Sequence, residues 1–391
     1  MQSISRFQDV LRLLPRGAFD KAVAEYRADR YCKTFSCWDH LVAMVYAQLS
    51  GMSSLREITA GFNTQSHRHY HLGTGALKRS TLADANTRRD WRVFGDTANA
   101  LLASVGRRVR QECRDLLFLV DSTTITLKGR GYDEWAAGTR QPSTQGLKMH
   151  IQYDSALQSP AWFSMTATNV NDLTAALGMP VLSGATYVFD KAYYDFNWWR
   201  DIDATGARFV SRFKTTVRLQ VLEDRPIDPN LASTILKDHL VRFANPSPGG
   251  RRRNHYVQPL RLVEVNRPGQ TPLVLASNDV SSPPEQIAAL YKERWGVELF
   301  FKWIKQNLNI KAFCAQSQNA VKIQVMTALI TYLLLVIYRS TQAATIALKE
   351  LLTTVRAAPF EAADHAQETA RKRRRRQEIR ELKAQQEALF P

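Results

Sequence analysis

Between Tyr291 and Lys305 the chain reads YKERWGVELFFKWIK, and four of these side chains suit phosphate chemistry. From Tyr291 the steps are three to Arg294, four to Glu298 and seven to Lys305. On a helix turning roughly 100° per residue, the four fall within a sector of about 60°. Ile287, Leu290, Phe301, Ile304 and Leu308 form an apolar stripe beside them. A carboxylate between two cations, at the edge of a buried face, can hold a divalent metal and receive phosphates. The same spacing also makes an i,i+4 ion-pair ladder on a solvated face, which is what most such spacings are.

The helix that must carry these groups is signed at its start. Ser282-Pro283-Pro284-Glu285 reads as a capping box, with Ser282 at the N-cap, Pro283 at the first helical position and Glu285 reaching back. One rigid helix is expected from there, weakened by about 1 kcal/mol at Gly296 relative to Ala. Two further carboxylates end apolar runs that read as buried strands, LLFLV before Asp121 and TYVF before Asp190. If those strands are neighbours, both Asp residues project from one sheet edge and the helix can present Glu298 to them. Three carboxylates can bind two Mg²⁺ ions roughly 3.5–4 Å apart, one activating the attacking water or 3′-hydroxyl and one stabilising the leaving oxygen. Oxygen donors suit Mg²⁺ because the ion is hard. For any single Asp the competing reading is a turn or N-cap residue.

Other chemistries find less support. The histidines show no HExxH spacing, and His67, His69 and His71 make only a weak local cluster. There is no GxxxxGK[ST] sequence, so neither a nucleotide cofactor nor an ATP-driven motor is expected. Cys32, Cys37, Cys113 and Cys314 are scattered without a CxxC pair, as buried thiols in a reducing compartment would be.

A chain of 391 residues has room for several domains and a substantial core. Its apolar fraction of 45% excludes a wholly disordered protein. The net charge of +17 points to a polyanionic partner, most often nucleic acid, although anionic membranes attract such proteins too. The run from Val325 to Tyr338, interrupted by Thr327 and Thr331, falls short of the roughly 20 residues a membrane span needs and fits a buried helix. The N-terminal MQSISRFQDVLRLLPRG lacks the apolar core of a secretory signal. The expectation is a cytoplasmic, nucleoid-associated protein with no membrane partner.

Residues 1–107 read as mostly helical. Phe7, Val10, Leu11 and Leu14 recur at helical spacing, Trp38 to Leu49 suits a buried helix, and Ser54 with Glu57 can cap another. The basic stretch from Lys78 to Arg92, capped by Ser80 or Thr81, carries Asn86, Arg88, Arg89 and Arg92, side chains that can read base edges or grip phosphates. A solvated basic helix has the same composition. Residues 108–206 alternate strands and a short helix capped by Asn171, an α/β pattern. Residues 207–278 are β-rich, separated by Pro and Gly turns, and read as an all-β insertion; Arg212 and Lys214 on its first strand add cations for DNA. Helices return over 279–352. The segment 353–391, with Arg371-Lys-Arg-Arg-Arg-Arg376, reads as a basic arm with nonspecific phosphate affinity.

Taken together, these residues resemble the DDE transposases of the bacterial insertion-sequence-four family. Its Tyr-(2)-Arg-(3)-Glu-(6)-Lys signature is matched without a gap by Tyr291, Arg294, Glu298 and Lys305. The family's first acid follows an apolar strand, as in LFLV-Asp121-Ser-Thr, and its second is followed shortly by an aromatic, as in Asp190-Lys-Ala-Tyr193. Where the second motif commonly has Gly two residues after its Asp, this chain has Ala192. The N-terminal stretches LLPRGAFDKAV and KRSTLADANTRRDW look like the accessory domain of one branch.

The resemblance implies an RNase H-like core interrupted by a β-rich insertion and preceded by a helical DNA-binding domain. It further implies Mg²⁺-dependent cleavage of element ends (with Mn²⁺ able to substitute) and their joining to target DNA within a synaptic homodimer. Asp121, Asp190 and Glu298 would be the catalytic metal ligands, Arg294 and Lys305 would grip end phosphates, and Tyr291 would buttress that face. Trp295, Trp303 and Tyr256 are candidates for an aromatic that stacks on a flipped base. A DNA-binding regulator without catalysis, or a nuclease that cannot join ends, would share part of this pattern.

Overall fold

In the computed structural model, which describes residues 5–110, 116–136, 145–248, 252–341 and 346–361, side-chain caps start several of the N-terminal helices. Helices α1 (Arg6–Leu11) and α2 (Arg16–Glu25) lead to α3 (Cys37–Ser50), started by a Ser36–Asp39 capping box. The expected Ser54–Glu57 box starts α4 (Leu55–Asn63). Gly51 ends α3 at φ 73°, a left-handed turn that Gly adopts without a Cβ clash. The short α5 (His69–Leu72), α6 (Arg79–Arg88) and α7 (Arg92–Arg110) follow. Ser80 and Thr81 lie inside α6, whose N-cap is Lys78 and has no side-chain cap bond.

Strands β1 (Leu117–Thr126), β2 (Gly146–Asp154) and β3 (Ser159–Ala167) form an antiparallel meander, with the short α8 (Asp133–Ala136) between the first two. Asn171 caps α9 (Asp172–Ala176), which leads to β4 (Thr186–Phe189), then α10 (Phe196–Ala204) and β5 (Arg208–Arg212). β4 lies between β1 and β5, parallel to both. This is an RNase H-like arrangement, in the spatial order β3-β2-β1-β4-β5.

The β-rich segment is not a separate layer. Its strands β6 (Leu219–Asp224), β7 (Ile235–Phe243), β8 (Leu260–Val265) and β9 (Leu273–Ser277) extend the same sheet. β9 pairs antiparallel with β5, giving nine strands in the order β3-β2-β1-β4-β5-β9-β8-β7-β6. The physical reason is the open edge of β5, whose backbone groups need partners.

Two helices, α11 (Pro284–Glu293) and α12 (Trp295–Asn307), replace the single expected one, divided at Arg294. Nor does Ser282 cap α11: its hydroxyl bonds Asp279 Oδ2 at 2.6 Å, and Pro283 stands at the N-cap. Alternation along the strands separates two cores. On one side Phe118, Val120, Tyr187, Phe189 and Phe209 pack against Trp198, Trp199 and Ile202 of α10. On the other, a Cβ at Gly296 would lie 3.0 Å from Leu119 Cδ1, so α12 meets β1 where Gly leaves space. Packing therefore accounts for the residue that weakens the helix locally.

The remaining helices are α13 (Gln318–Thr341) and α14 (Leu348–Ala357). Two compact units result: Met1–Leu101 with Asn307–Pro391, and Leu102–Gln306. The C-terminal helices thus belong with the N-terminal ones rather than with the segment 279–352 in which the sequence grouped them. α13 is apolar enough to cross a membrane by length and composition, but 94% of its most apolar window is buried inside the protein. Gln324 within it donates to the carbonyls of Asn309 and Ala312 at 2.7 Å each.

Candidate active site

Val120 of β1 stands opposite Phe189 of β4, so Asp121 and Asp190 are the next step on adjacent parallel strands. Such strands lie about 4.8 Å apart, and residues in register share a face. Leu119, two residues before Asp121 and so on its face, meets α12. Only β4 stops at its acid; β1 runs on to Thr126, so Asp121 is mid-strand rather than terminal. Asp190 also caps the turn Lys191–Tyr193, accepting from the Lys191 N–H at 2.7 Å. Its turn role and its place beside Asp121 coexist, and Ala192 is exposed in that turn.

The helical groups converge on these acids. Arg294 Nη1 lies 2.6 Å from Glu298 Oε1 and 3.9 Å from Asp121 Oδ2. The Tyr291 hydroxyl donates to Asp190 Oδ1 at 3.3 Å, and Arg212 Nη1 is 3.7 Å from the same oxygen. Lys305 Nζ donates to Thr123 Oγ1, two residues beyond Asp121, at 2.5 Å. Lys214 stands over the Tyr194 ring at 4.7 Å. The break at Arg294 leaves it in right-handed helical conformation, so the face read from a continuous helix survives.

Burial pushes the Asp121 carboxyl up to about 6; its bond from the Ser122 N–H and the nearby Arg294 oppose the rise, while Glu298 and Asp190 add to it. Burial, reinforced by Asp190, pushes the Tyr291 phenol up to about 12, which keeps it a hydrogen-bond donor. Burial and the charges of Asp121, Asp172 and Asp190 raise Tyr193 well above its ordinary range. The site is rich in negative charge and only partly buried: the side chains of Asp121, Asp190 and Glu298 are 23%, 34% and 35% exposed.

Behind Asp121, on the opposite face of β1, lies a network that was not expected. The Ser122 hydroxyl donates to Asp172 Oδ1 at 2.8 Å, and Lys148 Nζ approaches the same oxygen at 3.1 Å. His150, buried and 2.8 Å from Thr166 Oγ1, is lowered to about 4 by burial and stays neutral. Sequence pattern placed Lys148 and His150 on a strand and Asp172 at a helix start; the strand pairing that unites them with Ser122 is long-range.

Among the described residues, no three of His, Cys, Asp and Glu gather closely enough to hold one ion. The cation between Asp121 and Glu298 is the Arg294 guanidinium. The donor chemistry nevertheless fits a hard divalent metal: three carboxylates in mutual electrostatic reach, one of them raised by burial and by its acidic neighbours. The histidine cluster is no such site, since His69 is buried with Nε2 2.9 Å from the Phe62 carbonyl.

The basic stretch of the N-terminal domain has a different character from the one expected. Arg89 is only 6% exposed; it donates to the carbonyls of Ser36 and Phe35 and lies 3.7 Å from Asp29. Those internal partners remove it from DNA contact. Asn86 is buried against His40, with Oδ1 2.9 Å from Nε2. Arg88 is exposed and pairs with Asp84 at 2.8 Å; Arg92, on α7, pairs with Asp90 at 2.6 Å. Of the stacking candidates, Tyr256 is buried with its hydroxyl 3.1 Å from Asp203, Trp303 is partly covered, and Trp295 is 59% exposed. Cys113 and the basic run at 371–376 lie outside the described residues; of the free thiols, Cys37 is buried as expected, Cys314 is partly covered and Cys32 is exposed.

An RNase H-like sheet bearing two neighbouring acids, with a third on the covering helix, defines the class of nucleic-acid phosphoryl transferases. The model for the transposase DDE domain matches residues 112–334, and the chain belongs to that family: it is a DDE transposase, an enzyme of DNA phosphoryl transfer. Residues 2–75 match a domain of unknown function, DUF4372. A putative transposase, y4zB, from Sinorhizobium fredii (strain NBRC 101917 / NGR234) is 39% identical over 257 residues, 65% of this chain and 69% of that one. A putative transposase for insertion sequence element IS4SA from Synechocystis sp. (strain ATCC 27184 / PCC 6803 / Kazusa) is 23% identical over 66% of this chain and 70% of its own. The piggyBac transposase, solved by cryo-EM in a synaptic complex with hairpin DNA, aligns over 90% of this chain and 79% of its own at a TM-score of 0.49 and 10% identity.

Proposed function

We propose that this transposase cuts DNA at the terminal inverted repeats of its own element and joins the freed ends to a target, in a cut-and-paste reaction. The observation that supports this most is the convergence of Asp121 and Asp190, on adjacent strands, with Glu298, tied to Asp121 through Arg294. Asp121, Asp190 and Glu298 are the residues that would hold Mg²⁺, as two ions, or Mn²⁺ in its place. When bound, the metal supplies a more acidic water or 3′-hydroxyl and charge stabilisation at the leaving oxygen.

The chain's own groups do the positioning. Arg294 exchanges its carboxylate contacts for a phosphate of the end, presenting a planar fork suited to bidentate binding. Lys305 and Arg212 add point charges along the same strand, with Lys214 further out. The Tyr291 hydroxyl holds Asp190 in place. Partly covered by α12, the acids sit where electrostatic contacts are stronger than in open water. Trp295, exposed beside Arg294, is available to stack on a base displaced from the duplex. Two chains would pair two ends in a synaptic homodimer.

The test uses purified protein, DNA carrying its gene with both flanks, a target plasmid and Mg²⁺, beside Glu298→Gln. End cleavage and joining by wild type alone supports the proposal. Cleavage without joining makes it a nuclease, binding without cleavage by either protein makes it a regulator, and equal cutting by both removes Glu298 from the site.

A further inference from the structure

With Arg89 buried and Arg88 and Arg92 each paired to an acid, the free positive charge of α6 is confined to its start, at the exposed Lys78 and Arg79. The adjoining segment between α2 and α3 carries more. Arg27, Arg30 and Lys33 are exposed there, and among the described residues none of the three is held by an ion pair. Between them Tyr31 is 85% exposed, with the Arg30 guanidinium 4.8 Å from its ring centroid. These residues, with Arg88, line a cleft of about 600 Å³ within the helical unit.

The segment is shaped from behind. Asp29 Oδ1 accepts from the Cys37 N–H at 2.6 Å, and Arg89 ties down the carbonyls of Phe35 and Ser36. Successive turns bond the Arg30 N–H to Arg27 and the Cys32 N–H to Asp29, at 3.0 Å each. Arg27 at φ 48° and Tyr31 at φ 63° occupy the left-handed region that side-chain-bearing residues avoid. A large aromatic kept in solvent on an unfavourable backbone, ringed by unpaired cations, is costly unless something covers it.

We infer that Arg27, Arg30, Lys33 and Tyr31 form a docking surface for duplex DNA, the cations on phosphates and the Tyr31 ring against the sugar edge. This assigns a role within the match to the domain of unknown function. It rests on the reading of the chain as a transposase that binds its own ends. Phosphate contacts position a protein on DNA without reading its sequence. The surface therefore strengthens binding to end and unrelated DNA alike.

The experiment measures the affinity of the full-length protein for a duplex from its element end and for a scrambled duplex, across a NaCl series. The variants are the triple Arg27→Gln, Arg30→Gln, Lys33→Gln and the single Tyr31→Ala, each checked by circular dichroism melting. The triple variant should lose about 10- to 100-fold in affinity for both duplexes, and its slope of log K against log salt should fall by about 2–3. Tyr31→Ala should lose about 3- to 10-fold with the slope unchanged. A folded triple variant with wild-type slope and affinity overturns the inference. So does an unchanged slope accompanied by loss of binding to phosphatidylserine vesicles. End cleavage by wild type is scored separately: if it fails while the slope falls, the surface stands and the cut-and-paste reading does not.

Discussion

Two helical stretches of this chain carry cations, and folding treats them oppositely. On α11 and α12, Arg294 and Lys305 turn toward the strand that bears Asp121, and Tyr291 toward Asp190. From α6 into α7, Arg88 and Arg92 pair with Asp84 and Asp90, while Arg89 turns inward to hold backbone carbonyls. Tyr291, Arg294, Glu298 and Lys305 share one helical face, whereas Arg88 ends α6, Arg89 is its extended C-cap and Arg92 starts α7. The neighbours differ too: the first stretch meets acids delivered by strands far away in sequence, the second meets local acids and the carbonyls of Phe35 and Ser36. A cation's position on a helix therefore says where it points, and only packing says whether its charge is already spent.

The largest expected effect tests the acidic side of that contrast. Asp190→Asn should reduce both end cleavage and the joining of pre-cleaved ends by more than about a hundredfold, because neither step can proceed with an incomplete carboxylate set. Binding to end DNA, measured by mobility shift, should persist. Joining at wild-type rate would separate Asp190 from the chemistry.

On the basic side, Arg89→Ala should destabilise the protein by about 3 kcal/mol, since it leaves the Phe35 and Ser36 carbonyls without their donor. Urea unfolding checks this, and a cost near zero would mean that water replaces the guanidinium readily.

Asp121→Asn gives a pH-dependent contrast in chelator-containing buffer. The folded pKa of Asp121, about 6, lies above its ordinary 3.8, so its ionisation opposes folding. That cost is absent below pH 3.8, grows as pH rises through 6, and reaches about 3 kcal/mol above it. The variant should melt higher than wild type at pH 8, and the gap should close toward pH 4. A gap independent of pH would indicate a packing effect instead.

The smallest effect belongs to Arg88→Ala. Its charge is already balanced by Asp84 at the surface, so stability should change by less than about 1 kcal/mol. Affinity for end and scrambled duplexes should fall less than threefold. A selective loss on end DNA would return this helix to the role of a sequence reader and sharpen the difference from the Arg27–Lys33 segment.

Much of the site was legible because its signals are local. The apolar runs before Asp121 and Asp190 read as strands, and the spacing of Tyr291, Arg294, Glu298 and Lys305 read as one face even though the helix divides. The β-favouring residues from Ser122 to Leu127 also signalled that β1 continues past Asp121, although its pairing with β2 out to Gly146 is long-range. The Ser122–Asp172–Lys148 network joins groups far apart in sequence, so no periodicity could announce it. The same holds for Arg89, whose composition suits a surface and whose burial is set by the loop it anchors.

By itself, the sequence determined the elements and their faces, since capping, turn chemistry and hydrophobic period act over a few residues. It also carried the charge excess and the acid and cation types that a phosphate-transfer site needs. Only the tertiary structure decided which charges meet. It joined the β-rich segment to the catalytic sheet, grouped the C-terminal helices with the N-terminal ones, and paired or buried the cations from Arg88 to Arg92 while leaving those of the Arg27–Lys33 segment exposed. Those outcomes rest on strand pairing and burial between distant segments, where a charge's worth depends on the partners and the dielectric around it.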